Sequence, residues 1–340
     1  HRADPAPKAP TPNPTGTYMF QPETLDSLTL DGRKFRHPTR TADGQMRAGV
    51  AFERLRTLWF NTGTLCNITC ANCYIDSSPR NDLLAYLTGA DLRQYLDELA
   101  GPEWRAEEIG FTGGEPFMNP AIIELLSESL SRGYRVLVLT NAMRPLLRFK
   151  HGLLALKAEF GANLVLRVSI DHYSEALHDA ERGAGSWPRM MEGLLWLSRS
   201  GFSINVAGRT CWHQSEAELR AGYAALFGQH DIALDAQNPD SLVLFPEMDA
   251  GRDLAEITSA CWAILDVDQA NMMCATSRMV VRRKGAARPA VTACTLLPYA
   301  PEFELGDTLA AATRLPVSLN HPHCARFCVL GGGACGATAG

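Results

Sequence analysis

The sequence predicts an α/β protein built on a mostly parallel sheet, followed by a small cysteine-rich α+β extension. Three observations carry this. From Arg56 to about residue 250, apolar runs of strand length alternate with amphipathic stretches of helical period, the pattern of right-handed strand–helix–strand crossovers. The chain has 340 residues, 46% of them hydrophobic, which is enough for one large domain and an appendage. Beyond residue 250 the alternation stops and cysteine becomes frequent.

Taken in order, residues 1–17 carry five prolines and read as a disordered or extended leader, and 18–52 as an N-terminal extension. The chain starts at His1, which reads as a trimmed, tagged or fragmentary start. No signal-peptide apolar core follows, so a cytoplasmic protein is expected. Strands are expected at 56–61, 108–112, 134–140, 163–170, 202–208 and 241–245, where four to eight residues are dominated by apolar and β-branched types. Helical periodicity lies between them, near 90–100, 119–132, 144–159, 187–200 and 215–227. Six such units fit an open α/β sheet or a partial (β/α) barrel alike. In both, ligands gather at the C-terminal ends of the strands. After residue 250 the sequence predicts a helix over 254–265, then a strand pair over 278–283 and 290–293 across Lys284-Gly285. A Gly- and Cys-rich tail ends the chain, and no internal repeat is apparent.

Net charge is −5 with no block of like charges, so neither a nucleic-acid nor a membrane footprint is expected. No apolar run approaches the ~18 residues of a membrane span.

Ten cysteines fall in clusters. A secreted disulfide framework suits small domains without much core; a large chain with clustered thiols points to metal. The sharpest cluster is Cys66-Asn-Ile-Thr-Cys70-Ala-Asn-Cys73, directly after the first expected strand. Three thiolates on one tight loop can hold three corners of an iron–sulfur cubane. A structural zinc or an electron-transfer cluster wants four protein ligands, and no fourth Cys or His stands nearby in sequence. The arrangement therefore leaves one iron open to a ligand.

The spacing C-x3-C-x2-C resembles the signature of the radical S-adenosylmethionine (SAM) superfamily, and Gly113-Gly114-Glu115-Pro116, ending the second strand, resembles its GGEP motif. The resemblance implies a partial (β/α)6 TIM-like barrel and a SAM-binding [4Fe–4S] cluster on Cys66, Cys70 and Cys73. It also implies reductive cleavage of SAM, with hydrogen abstraction from substrate. In that frame Gly113 and Gly114 expose backbone to the ligand at close range, and Glu115 accepts a hydrogen bond from the SAM amino group. Thr140-Asn141-Ala142 resembles the family's TNG turn, with Ala for Gly. Ser169 and Asp171 point to one side of a strand mouth, Asp171 toward ribose hydroxyls and Ser169 toward a polar group of the cofactor. The continuation from His172 to Gly185 resembles the family's loop, and Arg209 is placed to neutralise the SAM carboxylate. Where the family carries an aromatic residue before the third cysteine this chain has Asn72, and Tyr74 follows the cysteine instead.

The second group comprises Cys274, Cys294, Cys324, Cys328 and Cys335. With its strand pair it is similar to the SPASM/twitch extensions of radical SAM enzymes, implying one auxiliary [4Fe–4S] cluster. Its expected ligands are Cys274, Cys294, Cys328 and Cys335, with Cys324 spare or substituting for Cys328; tetrahedral zinc is the alternative. Cys211 and Cys261 are isolated and read as structural thiols. Glu247 and Asp249 follow the last strand, His321 and His323 read as caps, and Trp59, Trp187 and Trp196 read as core.

The expected organisation is 1–52 as N-terminal extension, 53–250 as radical SAM barrel and 251–340 as auxiliary-cluster domain. The expected substrate is a small metabolite in preference to a peptide, since the Pro-rich first 17 residues cannot form a recognition domain. A peptide or protein side chain stands second, and a cyclase of the molybdopterin-precursor type third. A flavodoxin or ferredoxin is the expected electron donor. From another class, a non-catalytic iron–sulfur carrier or zinc protein is the rival reading, and neither has use for GGEP or a strand-end ribose site.

Overall fold

The structure, a computed structural model, describes residues 29–246 and 249–332. Six strands form a parallel array in chain order: β2 (Thr57–Asn61), β3 (Glu108–Thr112), β4 (Arg135–Thr140), β5 (Leu164–Ser169), β6 (Ser203–Arg209) and β7 (Leu242–Phe245). On the other side of β2 the sheet continues through β8 (Ser277–Val281), parallel to β2, and then antiparallel through β9 (Ala290–Thr292) and β10 (Glu304–Gly306). Among the described residues the nine-stranded order β10-β9-β8-β2-β3-β4-β5-β6-β7 ends at β10 on one side and β7 on the other. A small antiparallel pair, β1 (Gly49–Val50) and β11 (Val317–Ser318), ties the N-terminal extension to the C-terminal region. Ion pairs Lys34–Asp253 and Arg47–Glu256 join the same two regions.

The crossovers carry α1 (Gly89–Leu99), α2 (Ile122–Ser131), α3 (Arg144–Leu147), α4 (Lys150–Phe160), α5 (Glu175–Arg182), α6 (Ser186–Arg199) and α7 (Glu216–Gln229). Capping boxes start two of them: Thr88 with Asp91 on α1, and Ser215 with Glu218 on α7. The parallel strands read as near-continuous apolar runs because both sheet faces are buried. Successive side chains alternate between two cores. Leu58, Phe60, Val136, Val138, Leu164 and Leu166 face the helices. Trp59, Leu137, Val165 and Met279 face the C-terminal region, among Phe303, Phe327 and the second cysteine group.

All six expected barrel strands form, with ends shifted by a residue or so, and the expected strand pair forms as β8 and β9. Three expectations change. The helix over 144–159 is broken at Phe149, giving α3 and α4. The helix over 254–265 is reduced to α8 (Cys261–Leu265), because Ile257 pairs through its carbonyl with Ala48 and holds the preceding residues extended. Helix α5 was not expected; it buries His178 and Glu181 where an apolar stripe would signal a helix. The rest of the C-terminal region holds α9 (Met273–Thr276) and α10 (Leu309–Ala312). The β2–β8 pairing carries the sheet across the boundary expected at residue 250.

Candidate active site

A cavity of about 160 Å³ opens at the C-terminal ends of the parallel strands. The loop after β2 lines it with Cys66, Cys70, Cys73 and Tyr74, the end of β3 with Gly113 and Gly114, and the end of β4 with Thr140 and Asn141. The ends of β5, β6 and β7 add Ser169 and Asp171, Arg209, and Phe245. Glu115 and Pro116 do not line it. Two residues not singled out as site residues, Glu181 and Arg182 of α5, do; their resemblance-bearing loop was visible, but their helix was not.

The loop is held on several sides. Cys66 N–H donates to Ser78 O at 3.1 Å, and Ser77 N–H approaches Cys73 Sγ at 3.3 Å. Asn141 Nδ2 donates to Asn67 Oδ1 at 2.9 Å and lies 3.8 Å from Cys66 Sγ. Glu181 contributes most: its carbonyl accepts from Ala71 N–H at 2.7 Å, and its carboxylate accepts from Asn72 N–H at 3.0 Å and Asn72 Nδ2 at 2.9 Å. The asparagine that replaces the family's aromatic residue is thus the handle by which α5 grips the loop.

The two glycines border the cavity and also pack against the chain's own backbone. Gly113 has φ of +143°, and a Cβ there would lie 2.5 Å from Gly63 O; one on Gly114 would lie 2.3 Å from Leu65 O. Gly114 N–H donates to Gly63 O at 2.8 Å and Glu115 N–H to Leu65 O at 3.1 Å. What needs the missing side chains is the chain's own backbone, leading into the cysteine loop, although both residues also border the cavity.

Glu115 stands behind the cavity wall. Its carboxylate is 1% exposed and turned into the protein, accepting from Thr140 Oγ1 (2.8 Å), Asn141 N–H (2.8 Å) and Phe117 N–H (3.2 Å). Burial pushes its pKa up to about 7, against those donors. It ties β3 to the turn after β4, where Ala142 takes the left-handed φ of +56°. Pro116 opens the short turn Pro116–Met118.

Asp171 and Arg209 are likewise engaged. Asp171 accepts from Arg182 at 2.7 and 3.1 Å in a two-pronged pair, and Arg209 donates to Glu181 at 2.8 Å. Burial opposes the charge on Asp171, but the adjacent guanidinium holds its pKa below the usual carboxylate value. Arg182 stays firmly protonated despite burial, through Asp171 and the nearby Cys70 and Cys66 thiols. The ribose and carboxylate roles expected of Asp171 and Arg209 meet side chains already paired. Ser169 stands at the cavity as expected.

Burial pushes the Cys66 thiol up to about 12 and the Cys70 thiol up to about 11. Metal binding must therefore displace their protons. Among the described residues no three His, Cys, Asp or Glu side chains converge as around a single ion. Three thiols sharing a cavity without converging suit a cubane, in which each iron takes its own thiolate.

A second, smaller cavity is lined by Cys274, Cys294, Cys324 and Cys328, with His323 beside them. Cys324, expected as spare or substitute, stands with the others. Cys335 lies outside the described residues, as do residues 1–17 and Glu247. His323 takes the cap position before the helix Cys324–Leu330, its N–H donating to His321 Nδ1 at 3.1 Å, and its own buried Nδ1 has no hydrogen-bond partner among the described residues. Trp59 is core as expected. No helix among the described residues is long and apolar enough to cross a membrane.

Comparison with known proteins agrees with this geometry. Residues 60–220 match the model of the radical SAM superfamily. The chain is 32% identical over 143 residues to the antilisterial bacteriocin subtilosin biosynthesis protein AlbA of Bacillus subtilis (strain 168), covering 42% of this chain and 30% of AlbA. It is 27% identical over 144 residues to the mycofactocin maturase MftC of Mycobacterium ulcerans (strain Agy99), covering 41% and 35%. The chain thus matches about a third of the length of either relative. In fold it is similar to Streptococcus suis SuiB bound to precursor peptide SuiA, with a TM-score of 0.56, 12% identity, and coverage of 76% and 65%. With the thiol loop at the strand ends of a six-stranded parallel array, and the match running through that array, residues 60–220 of this chain are a radical SAM domain.

Proposed function

We propose that this protein is a radical SAM enzyme that modifies a side chain of a peptide substrate. The expected preference for a small metabolite is corrected by its relatives. AlbA is named for bacteriocin biosynthesis, MftC is a maturase, and SuiB is seen with a precursor peptide. The argument from residues 1–17 failed because it required peptide recognition to occupy a folded segment of its own. An extended peptide can also be held by a cavity mouth.

The observation that carries the reading is the Cys66–Cys73 loop, presenting three thiols to a cavity at the C-terminal ends of the parallel strands. Cys66, Cys70 and Cys73 would hold three irons of a [4Fe–4S] cluster. That cluster, when bound with SAM, supplies the electron for reductive cleavage and the hydrogen abstraction that follows. The chain's own part is positioning. Glu181 and Asn141 fix the loop, Arg182 brings positive charge beside Cys66 and Cys70, and Gly113 and Gly114 let β3 close against the loop's approach. Ser169 offers a hydroxyl at the rim, while Tyr74 and Phe245 provide apolar wall against water. Cys274, Cys294, Cys324 and Cys328 would hold the auxiliary cluster, in a C-terminal region that shares the barrel's sheet.

Anaerobically reconstituted protein with SAM and dithionite should form 5′-deoxyadenosine, and Cys70→Ala should form none. Unchanged turnover in that variant removes the chemistry. Deuterated peptides, tested against deuterated metabolite pools, should pass label into 5′-deoxyadenosine. Label arriving only from the metabolites would overturn the peptide reading.

A further inference from the structure

Arg278 is a fully buried cation without a counter-ion among the described residues. Its relative exposure is 0%, and it sits in β8 opposite Leu58 of β2. The guanidinium donates only to backbone carbonyls: Nε to Ala312 O at 2.9 Å, and Nη1 to Cys274 O at 2.6 Å and Ser277 O at 2.7 Å. Nη2 has no partner, and the carbon at the centre of the guanidinium lies 4.7 Å from the centre of the Phe52 ring. Three other inward-facing arginines have carboxylate partners: Arg47 faces Glu256, Arg182 faces Asp171, and Arg209 faces Glu181. Taking a cation out of water without an anion costs several kcal/mol.

The chain's path shows which anion answers it. Cys274 precedes Arg278 by one helical turn, and its carbonyl is one of those the guanidinium holds. In the antiparallel register Met279 lies opposite Thr292, which carries the chain on to Cys294 at the end of β8 where Arg278 sits. Both sulfurs line the cavity shared with Cys324 and Cys328. As thiols they are neutral and leave Arg278 uncompensated. As iron-bound thiolates Cys274 and Cys294 would supply negative charge that favours the protonated guanidinium, although Arg278 shares the helix-side face of its register partner Leu58.

We propose that Arg278 is the built-in counter-cation of the second thiolate centre, stabilising its anionic state and raising its reduction potential. It is a positioning and electrostatic residue, touching neither substrate nor SAM. The proposal rests on the auxiliary-cluster reading above. Adding an electron makes the centre more negative, so a fixed positive charge beside it favours the reduced form, and more so in a dry site than in water.

The test uses the full chain with Cys66, Cys70 and Cys73 changed to Ala, so that any paramagnetic cluster signal belongs to the second centre. Iron and sulfide are counted and the signal is titrated against potential. Arg278→Met should lower the reduced-to-oxidised ratio at fixed potential about tenfold, a shift of about 59 mV for one electron. Arg278→Lys, keeping the charge and losing the forked hydrogen bonds, should stay within threefold of the parent. Absence of iron in the parent overturns the auxiliary-cluster reading and the proposal with it. Full iron with an unmoved potential in Arg278→Met overturns the role of Arg278 alone. Should the Met variant fail to fold, Arg278→Lys decides, and a tenfold shift there assigns the residue to backbone bracing and overturns the proposal.

Discussion

Breaking the grip of α5 on the cysteine loop should loosen the first centre by a calculable amount. The Glu181 carboxylate takes two hydrogen bonds from the exposed Asn72 and one from the buried Arg209, all at 2.8–3.0 Å. Glu181→Gln keeps the shape but removes the charge, and its amide presents donors to donors. Removing one partner of a buried pair costs roughly 3–5 kcal/mol. Because Arg209 has a further interaction, the lower end, about 3 kcal/mol, is expected. Asn72→Ala deletes only the Nδ2 bond to a charged acceptor, about 2 kcal/mol. The two changes act on one contact, so the double variant should cost at least about 1 kcal/mol less than the two single costs combined. Urea unfolding of the metal-free chain measures these values, and iron content after anaerobic reconstitution should fall in the same order. Strict additivity, or full iron loading in Glu181→Gln, would refute the clamp.

Gly114→Ala places a Cβ 2.3 Å from a backbone oxygen that cannot step aside. It should destabilise by about 3 kcal/mol and lower iron loading, read by unfolding and iron assay. Ala142→Gly relieves a left-handed alanine at φ +56° and should stabilise the chain by about 1 kcal/mol in urea; a loss of stability would contradict the turn geometry. Burial raises Glu115 to about 7 from its ordinary 4.5, so the folded chain holds this proton more tightly than the unfolded one. The stability this proton confers is fully present below pH 4.5 and is lost as pH rises through 7. The difference in slope between the parent and Glu115→Gln, measured across that window, should integrate to about 3 kcal/mol. A parallel pair of curves would show that Glu115 ionises freely in the fold.

The barrel strands were legible because burial on both faces makes each an apolar run, and the cysteine loop because three thiols at short spacing have few other uses. Pairing was less legible. Nothing local in residues 277–281 says that they lie beside 57–61 rather than in a separate domain, since a parallel partner more than 200 residues away leaves no periodic trace. Helix α5 escaped for the opposite reason: its inward face is His178 and Glu181, whose burial follows from partners on other elements. The polar site residues show the same limit. Spacing brought Glu115, Asp171 and Arg209 to the strand ends, but it could not reveal that Thr140 and Asn141, Arg182, and Glu181 would take up their hydrogen bonds.

The β2–β8 pairing gives the two cysteine groups a fixed mutual frame. β2 leads directly into Cys66, while Cys274 immediately precedes β8, and the two strands are in parallel register from Thr57–Ser277 to Phe60–Val280. Beyond the strands the same two segments stay stitched: Ala85 N–H donates to Arg282 O at 2.7 Å, Arg282 pairs with Asp91, and Tyr299 Oη donates to Ile75 O at 2.8 Å just past Cys73. A hinge between two domains would place these bonds across a moving boundary and break them with each excursion. A continuous sheet instead makes the separation of the centres a property of backbone pairing, insensitive to side-chain packing on either face. Electron exchange between redox centres depends steeply on distance, so clusters held on these two cysteine groups would keep a constant separation through the shared sheet.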